Sequence, residues 1–266
     1  MEAWLILFPA FVMSALMIVS HTYLGLHVLA RGIIFVDLAL AQVTALGVSF
    51  AFLMGEEPHG LTANLYALGA TLTAAFAFAG LRHISGKTTR EVIIGCVYVV
   101  STALTIVILS RSSQGMEQLK SLFNGNILWV SWQEITIFAG ATALFALFHF
   151  IYRKHFHALS FTTENKEKPS FLWEFLFFAS FAIIITLAVN LAGILLVFAL
   201  LIIPAFSASL IVGSLTGRLL IGWGLGLLGA AAGLWLSFSA DLPVGATVVS
   251  VLGLLPLLSL SLRLTR

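Results

Sequence analysis

The sequence predicts an all-α, polytopic membrane helix bundle, and the first observation behind this prediction is composition. Of 266 residues, 60% are hydrophobic and 9% are charged, and the mean hydropathy is +1.08. A soluble domain carries about 25% charged residues to keep its surface solvated, whereas charges are costly in hydrocarbon. The formal charge of +2 has no basic cluster behind it. We therefore expect membrane lipid around the chain and no nucleic-acid partner.

The second observation is the spacing of long apolar segments. A spanning helix needs about 20 largely apolar residues. Nine candidate spans lie near 4–28, 33–54, 62–81, 91–110, 134–152, 172–190, 193–212, 218–239 and 244–262. The break between Asn190 and Gly193 is either a tight turn or a kink. We interpret residues 1–266 as a single transmembrane domain whose first span is not a removed signal.

The third observation is the placement of basic residues, which predicts orientation. If the N-terminus lies outside and nine spans follow, 11 of the 13 basic residues fall on the inner side. These are Arg31, Arg82, Lys87, Arg90, Arg153, Lys154, Lys166, Lys168, Arg218, Arg263 and Arg266. Only Arg111 and Lys120 fall outside. The positive-inside rule then predicts an outer N-terminus and an inner C-terminus.

Few polar side chains lie at membrane depth, and ionisable ones there mark functional positions by default. Asp37 and Gln42 lie in the second span, and His21 and His27 lie in the first. Asp37 and Gln42 are about 140° apart around a helix, so they do not form one face. A structural explanation is also open, in which Asp37 pairs with Arg31 and Gln42 bonds a neighbouring helix.

Two features in the last third of the chain concern helix packing. Residues 229–233 read GAAAG, a small-residue pattern that lets helices approach closely, either inside the bundle or at a dimer seam. Pro204 should kink its helix and free a backbone carbonyl. We interpret Pro204 as a hinge in a moving helix, with a static kink as the alternative.

Two polar connections separate the spans. Residues 111–133 are too polar to cross a membrane, so they form either a short interfacial helix or a plain loop. Residues 153–171 are the longest charged connection on the predicted inner side. No Gly-x-Ser-x-Gly, His-Glu-x-x-His, Cys-x-x-Cys or phosphate-binding Gly-x₄-Gly-Lys-Ser/Thr pattern occurs. We therefore predict that the chain is not an enzyme and that any ATP hydrolysis occurs on a partner chain.

Several segments together are similar to a known family. They are LGLHVLARGIIFVDLALAQVTALGVSF (24–50), REVIIGCVYVVSTAL (90–104), LKSLFNGNILWVSWQEI (119–135), AGILLVFALLIIPAFSASLI (192–211) and DLPVGATVVSVLGLL (241–255). In this order and spacing they resemble the permeases of ABC importers for zinc, manganese and iron. The resemblance extends from residue 1 to residue 262.

The resemblance implies a multi-pass protein of the bacterial plasma membrane with several partners. These are two cytoplasmic ABC ATPase subunits, an extracytoplasmic metal-binding protein and a second permease copy, which we expect to form a homodimer. It implies no tightly bound cofactor, because the divalent metal is the transported substrate. A short coupling helix for the ATPase is expected in 153–171. The expected coupling residues are Ser160, Thr162, Glu164, Lys166 and Lys168.

The sequence departs from the family pattern in two places. Many members carry an acid followed four residues later by His at the start of the second helix. Aligned on Gly47, those positions hold Leu38 and Gln42, and Asp37 is displaced by one residue. Zinc prefers His, Cys and carboxylate ligands, so Gln42 fits it poorly. The connection 153–171 also lacks the usual Ala-x-x-x-Gly pattern.

Our hypothesis is a permease that passes a divalent metal ion inward along a path containing Asp37, Gln42 and His27, with Pro204 as hinge. Three alternatives stay open. The cargo is a metal chelate or another small molecule; the chain is a proton- or sodium-coupled carrier, although no inverted repeat is recognisable; or it is a membrane-embedded enzyme, for which the sequence offers no acid–base or metal-ligand cluster.

Overall fold

The computed structural model describes residues 2–58, 60–84, 86–125, 127–161 and 170–264. Every regular element in these residues is a helix, as predicted. The α-helices are α1 (Glu2–Arg31), α2 (Phe35–Leu53), α3 (Leu61–Gly80), α4 (Lys87–Leu109), α5 (Gly115–Asn124), α6 (Trp132–Ile151), α7 (Arg153–Phe161), α8 (Phe171–Ile211), α9 (Leu215–Ala240), α10 (Val244–Leu252) and α11 (Leu255–Leu264). Short 3₁₀ turns occupy Leu81–His83 and Ile127–Trp129.

Eight helices of the described chain are long and apolar enough to cross a membrane. One of them, α8, has 41 residues, which corresponds to about 62 Å, twice the ~30 Å hydrocarbon core. Gly193 interrupts α8 with non-helical angles of φ 77° and ψ 161°. α8 is therefore two consecutive spans joined at a kink, and the described residues contain nine spanning segments. Of the two predictions for this break, the kink is confirmed.

The last span differs from the prediction of one continuous helix. It is divided into α10 and α11 by a turn at Gly253 and Leu254. Pro256 lies in the first turn of α11, and its missing N–H leaves the carbonyl of Leu252 without its usual helical donor. The stretch Val244–Leu264 is still apolar and long enough to cross as one unit.

The two polar connections each contain a short helix. Within 111–133, α5 and the 3₁₀ turn Ile127–Trp129 hold the buried side chains of Leu122 and Ile127. The prediction of a short helix is confirmed there over that of a plain loop. Within 153–171, α7 begins almost directly after α6 and ends at Phe161.

The described chain divides into two compact units. The first comprises Met1–Leu29, Phe123–Leu144 and Leu191–Arg266. Its packing depends on glycines of α9: a Cβ at Gly226 would lie 2.9 Å from Ile18 Cγ2, and one at Gly233 would lie 2.6 Å from Val248 Cα. The glycines of the GAAAG pattern therefore let α9 pack against α10 within the chain, which is the first of the two predicted uses of this pattern.

The second unit comprises Ala30–Leu122 and Phe145–Asn190. Its central helix is α2, of whose 19 residues thirteen are buried. α2 and α3 approach closely because Gly47 has no side chain; a Cβ there would lie 2.6 Å from Ala67 Cα. A helix that is buried on nearly all sides must satisfy or neutralise each polar group it carries. This makes the polar residues of α2 informative.

Candidate functional site

Asp37 lies in the first turn of α2 and is fully buried. Neither carboxylate oxygen has a hydrogen-bond partner among the described residues. The N-terminal end of a helix favours a negative charge, but this partial charge does not replace a hydrogen bond. The backbone N–H of Phe35 in the same turn has no partner within the helix, and it donates to Glu91 Oε1 of α4 at 2.9 Å. Glu91 thus caps α2 while Asp37 keeps its oxygens available.

Gln42 lies about 7.5 Å farther along α2 and is 1% exposed. Both amide atoms, Nε2 and Oε1, lack hydrogen-bond partners in the part of the chain that the structure describes. Because α2 is continuous through both residues, the rotation of about 140° between Gln42 and Asp37 holds in the structure. The two side chains therefore lie one after the other along α2 and on different sides of it, and they do not form a single face that could bind one ion.

Ser49 extends this set, and the sequence analysis missed it. Its hydroxyl is fully buried and has no hydrogen-bond partner among the described residues. Seven residues separate Gln42 from Ser49, which places them within about 20° of one another on one face of α2. The seven-residue spacing was a usable signal in the sequence. Thr44 lies elsewhere on the helix and bonds Thr71 Oγ1 at 3.0 Å.

Three buried residues with unpartnered polar atoms on one helix require an explanation. A buried polar group without a hydrogen bond costs about 1–3 kcal/mol, and more when it is charged. A hydrated or partly hydrated cation passing along α2 would supply both charge and donors to Asp37, Gln42 and Ser49. The oxygen atoms of these three residues are therefore candidate ligands for a cation.

The predicted ion pair between Asp37 and Arg31 is wrong. Arg31 forms its salt bridge with Glu174 in the first turn of α8. The Arg31 guanidinium carbon also lies 4.9 Å from the ring centre of Phe177 and 5.0 Å from that of Phe178. These contacts hold Arg31 to α8, which explains why it does not neutralise Asp37.

The two histidines of α1 belong to the first unit. His27 is 2% exposed, and its ring centre lies 4.6 Å from that of Tyr23. His21 Nδ1 donates to the carbonyl oxygen of Met17 at 2.8 Å, which is the local bond expected of a structural residue. No group of three His, Cys, Asp or Glu side chains positioned for a metal occurs in the described ranges. A path shared by His27 with Asp37 and Gln42 stays a prediction.

Pro204 is buried in the second half of α8. Its Cγ lies 3.3 Å from the position that a Cβ would take on Gly226 of α9, so the proline ring fills the space left by that glycine. The non-helical residue of α8 is Gly193 and not Pro204. A hinge function for Pro204 stays a prediction.

The predicted coupling region begins with α7. Aromatic rings of α7 stack against rings of α6 and α8. Phe156 is fully buried, and its ring stacks on that of His149 at 4.0 Å between centres. His155 stacks on Trp173 at 3.9 Å. Ser160 is half-buried in the last turn of α7. The remaining predicted coupling residues lie outside the described residues: Thr162, Glu164, Lys166 and Lys168.

Comparison with known proteins decides the family. The family model described as the ABC 3 transport family matches residues 4–263. The chain belongs to the ABC 3 transport family. The resemblance to metal ABC permeases is therefore confirmed, and this ABC 3 family member is a multi-pass permease of the bacterial plasma membrane and not itself an enzyme.

Individual relatives of this ABC 3 family member match along most of their length. It is 27% identical over 238 residues to the manganese transport system membrane protein MntC of Listeria monocytogenes, covering 86% of this chain and 80% of that protein. It is 25% identical over 259 residues to the uncharacterized membrane protein slr2045 of Synechocystis, covering 96% and 89%.

A solved structure supports the fold of this ABC 3 family member independently. The Streptococcus pneumoniae PsaBC structure in complex with Fab superposes with a TM-score of 0.77 at 22% identity. The match covers 96% of this chain and 90% of that chain. At this identity the similarity establishes the helical fold alone.

Proposed function

We propose that this chain is the transmembrane permease subunit of an ABC-type importer that moves a divalent metal ion, with manganese as the first candidate. The observation that carries the proposal is Asp37: a fully buried carboxylate with no hydrogen-bond partner among the described residues, in a member of the ABC 3 transport family. A permanent structural charge would be paired, as Arg31 and Glu174 are. An unpaired acid suits a mobile cation.

The chemistry of the α2 side chains supports manganese among the candidate ions. Asp37, Gln42 and Ser49 offer a carboxylate, an amide oxygen and a hydroxyl, and all are oxygen donors. Carboxylate, carbonyl and water oxygens suit manganese, whereas zinc and iron more often bind imidazole or thiolate. The name of the Listeria relative, a manganese transport protein, points in the same direction.

ATP drives transport from separate subunits in this proposal. α7 and the connection that follows it, including Ser160, Thr162, Glu164, Lys166 and Lys168, would contact the cytoplasmic ATPases. The contacts of α7 support this role: the ring of Phe156 stacks on α6, and the ring of His155 stacks on α8. A displacement of α7 would therefore reach both spans. An extracytoplasmic metal-binding protein and a second copy of this permease complete the proposed assembly.

Reconstitution tests the proposal directly. The permease would be inserted into liposomes with its ATPase and binding protein, and accumulation of Mn²⁺, Zn²⁺, Fe²⁺ and chelated iron would be measured with and without ATP. We expect saturable, ATP-dependent Mn²⁺ accumulation that an ATPase subunit unable to hydrolyse ATP abolishes.

Two outcomes would contradict this function. Accumulation driven by a proton or sodium gradient without ATP would make the protein a secondary carrier. Accumulation of chelated iron alone, with no competition by free Mn²⁺, would make the cargo a chelate and would remove the α2 oxygen atoms from direct metal binding.

A further inference from the structure

A cavity of about 250 Å³ lies in the second unit, where the ends of several helices meet. Its walls come from the end of α1, the 3₁₀ turn Leu81–His83, the start of α4, the end of α7 and the first turn of α8. Among the described residues, five charged side chains line it: Arg31, Arg82, Lys87, Arg90 and Glu174. Four positive charges and one negative charge leave a formal charge of +3, which is suited to an anion.

Arg31 has one donor beside the cavity that lacks an acceptor among the described residues. Its side chain is 10% exposed, and one terminal nitrogen, Nη2, pairs with Glu174 Oε2. The other, Nη1, is buried and has no hydrogen-bond partner among the described residues. A buried charged donor without an acceptor is costly. An anionic oxygen in the cavity would satisfy this nitrogen.

Arg90 and Lys87 also line the cavity. Arg90 Nε donates to the carbonyl oxygen of Ile84 at 3.0 Å, which fixes the guanidinium beside the cavity. Lys87 Cδ lies 3.6 Å from the position that a Cβ would take on Gly32, so the lysine stem runs over this glycine. Arginine binds phosphate through two parallel N–H groups, and lysine binds it as a point charge.

Part of the cavity lining is apolar and includes Phe78 and Ile94. The cavity thus combines charged and apolar lining residues at the ends of spanning helices. Under the predicted orientation this is the cytoplasmic boundary, where the leaflet is rich in anionic lipid and basic pockets between helices bind headgroups. A soluble anion would gain nothing from the apolar lining.

We propose that this cavity binds the phosphate group of an anionic phospholipid. Arg31, Lys87 and Arg90 hold the phosphate, and the apolar lining contacts the start of the acyl chains. The site is separate from Asp37 and does not depend on which cargo is transported.

Titration of the purified full-length permease in detergent tests this assignment. Phosphatidylglycerol, phosphatidylcholine and inorganic phosphate would be titrated separately, with binding measured by native mass spectrometry and thermal stability. We expect saturable binding of phosphatidylglycerol. Lys87→Gln and Arg90→Gln should each weaken it roughly fivefold, since one basic residue near an anionic headgroup contributes about 1 kcal/mol. Arg263→Gln, an exposed basic residue of α11, is the matched control and should change nothing.

Several results would overturn the proposal. If all three variants bound phosphatidylglycerol with equal affinity, or if Arg263→Gln weakened binding as much as Lys87→Gln and Arg90→Gln do, the attraction would be non-specific. If phosphatidylcholine bound as tightly as phosphatidylglycerol, or if inorganic phosphate alone raised the thermal stability as much as phosphatidylglycerol does, an anionic lipid would be excluded as the ligand. Loss of ATPase co-purification in Lys87→Gln and Arg90→Gln, with unchanged phosphatidylglycerol binding, would assign the cavity to an acidic side chain of a partner.

Discussion

Arg31 at the end of α1 and Glu174 at the start of α8 form a salt bridge, although 143 positions separate them in sequence. Their side chains are 10% and 4% exposed. Glu174 is the one acid that lines the basic cavity among the residues the structure describes, and Arg31 pairs with it and not with Asp37 of α2. One interaction therefore leaves two local charge imbalances, an anionic one at Asp37 and a cationic one in the cavity.

The first prediction concerns this pair. Glu174→Leu should lower the free energy of unfolding by about 3–5 kcal/mol, because it leaves the Arg31 charge buried without its partner. Adding Arg31→Met to Glu174→Leu should recover most of the loss, since an apolar pair of similar volume replaces the ion pair. Both would be measured as thermal unfolding in detergent. A double variant less stable than Glu174→Leu would contradict this explanation.

The second prediction separates transport from stability at Asp37. Asp37→Asn should reduce metal uptake at least tenfold and leave thermal stability equal or higher, because a neutral amide costs less to bury than a carboxylate. Asp241→Asn is the matched control: Asp241 is exposed and adopts φ 51°, a conformation that asparagine tolerates. Unchanged uptake in Asp37→Asn would remove Asp37 from the mechanism. A parallel loss of stability and uptake would indicate a structural role.

The third prediction concerns the kink that divides α8. Gly193 has φ 77° and ψ 161°, and a Cβ there would lie 2.3 Å from the backbone nitrogen of Gly125. Gly193→Ala should therefore destabilise the fold by about 3 kcal/mol or more, from backbone strain together with steric overlap. Gly140→Ala in α6 is the control, since nothing lies within 4 Å of its Cβ position. It should be neutral or stabilise by up to ~1 kcal/mol. Equal thermal stability of the two variants would refute the close approach.

The positions of the spans and the burial of Asp37 at membrane depth could be predicted because each depends on local composition. Asp37 is recognisable as an ionisable residue in an apolar run, and the break near Gly193 as an interruption of hydropathy. The partner of Arg31 could not be predicted, because composition carries no information about contacts 143 positions apart. Ser49 was missed because a serine in a spanning helix usually bonds its own helix backbone, so its seven-residue spacing from Gln42 was not treated as a signal.

The fourth prediction concerns three threonine hydroxyls that join α2, α3 and α8 in the second unit. Thr44 and Thr71 lie 3.0 Å apart, and Thr186 lies 3.3 Å from each. Thr71→Val should lower stability by about 0.6 kcal/mol, the average for hydrogen bonds between membrane helices, and by at most about 1.7 kcal/mol. Thr73→Val is the control, because Thr73 is exposed and bonds only its own helix at Gly69; it should shift the unfolding temperature little. Equal shifts would show that the cluster does not stabilise the unit.

The fifth prediction tests orientation. Glu56 and Lys154 are exposed, and three spanning helices, α3, α4 and α6, lie between them in sequence. An odd number of crossings places them on opposite sides. In a Cys96→Ala background, an impermeant maleimide should label Glu56→Cys in intact cells and Lys154→Cys only after permeabilisation, because the basic connections belong inside.

The two possible failures of this labelling have different meanings. Labelling of both cysteines from the same side would show that α3, α4 and α6 do not make three crossings, and the arrangement of spans would be wrong. Labelling of Lys154→Cys in intact cells with Glu56→Cys protected would keep the spans and invert them. The basic cavity and α7 would then face outward, which is incompatible with both the cytoplasmic lipid and the ATPase contact, whereas the unpartnered carboxylate of Asp37 would keep its place in the proposed path.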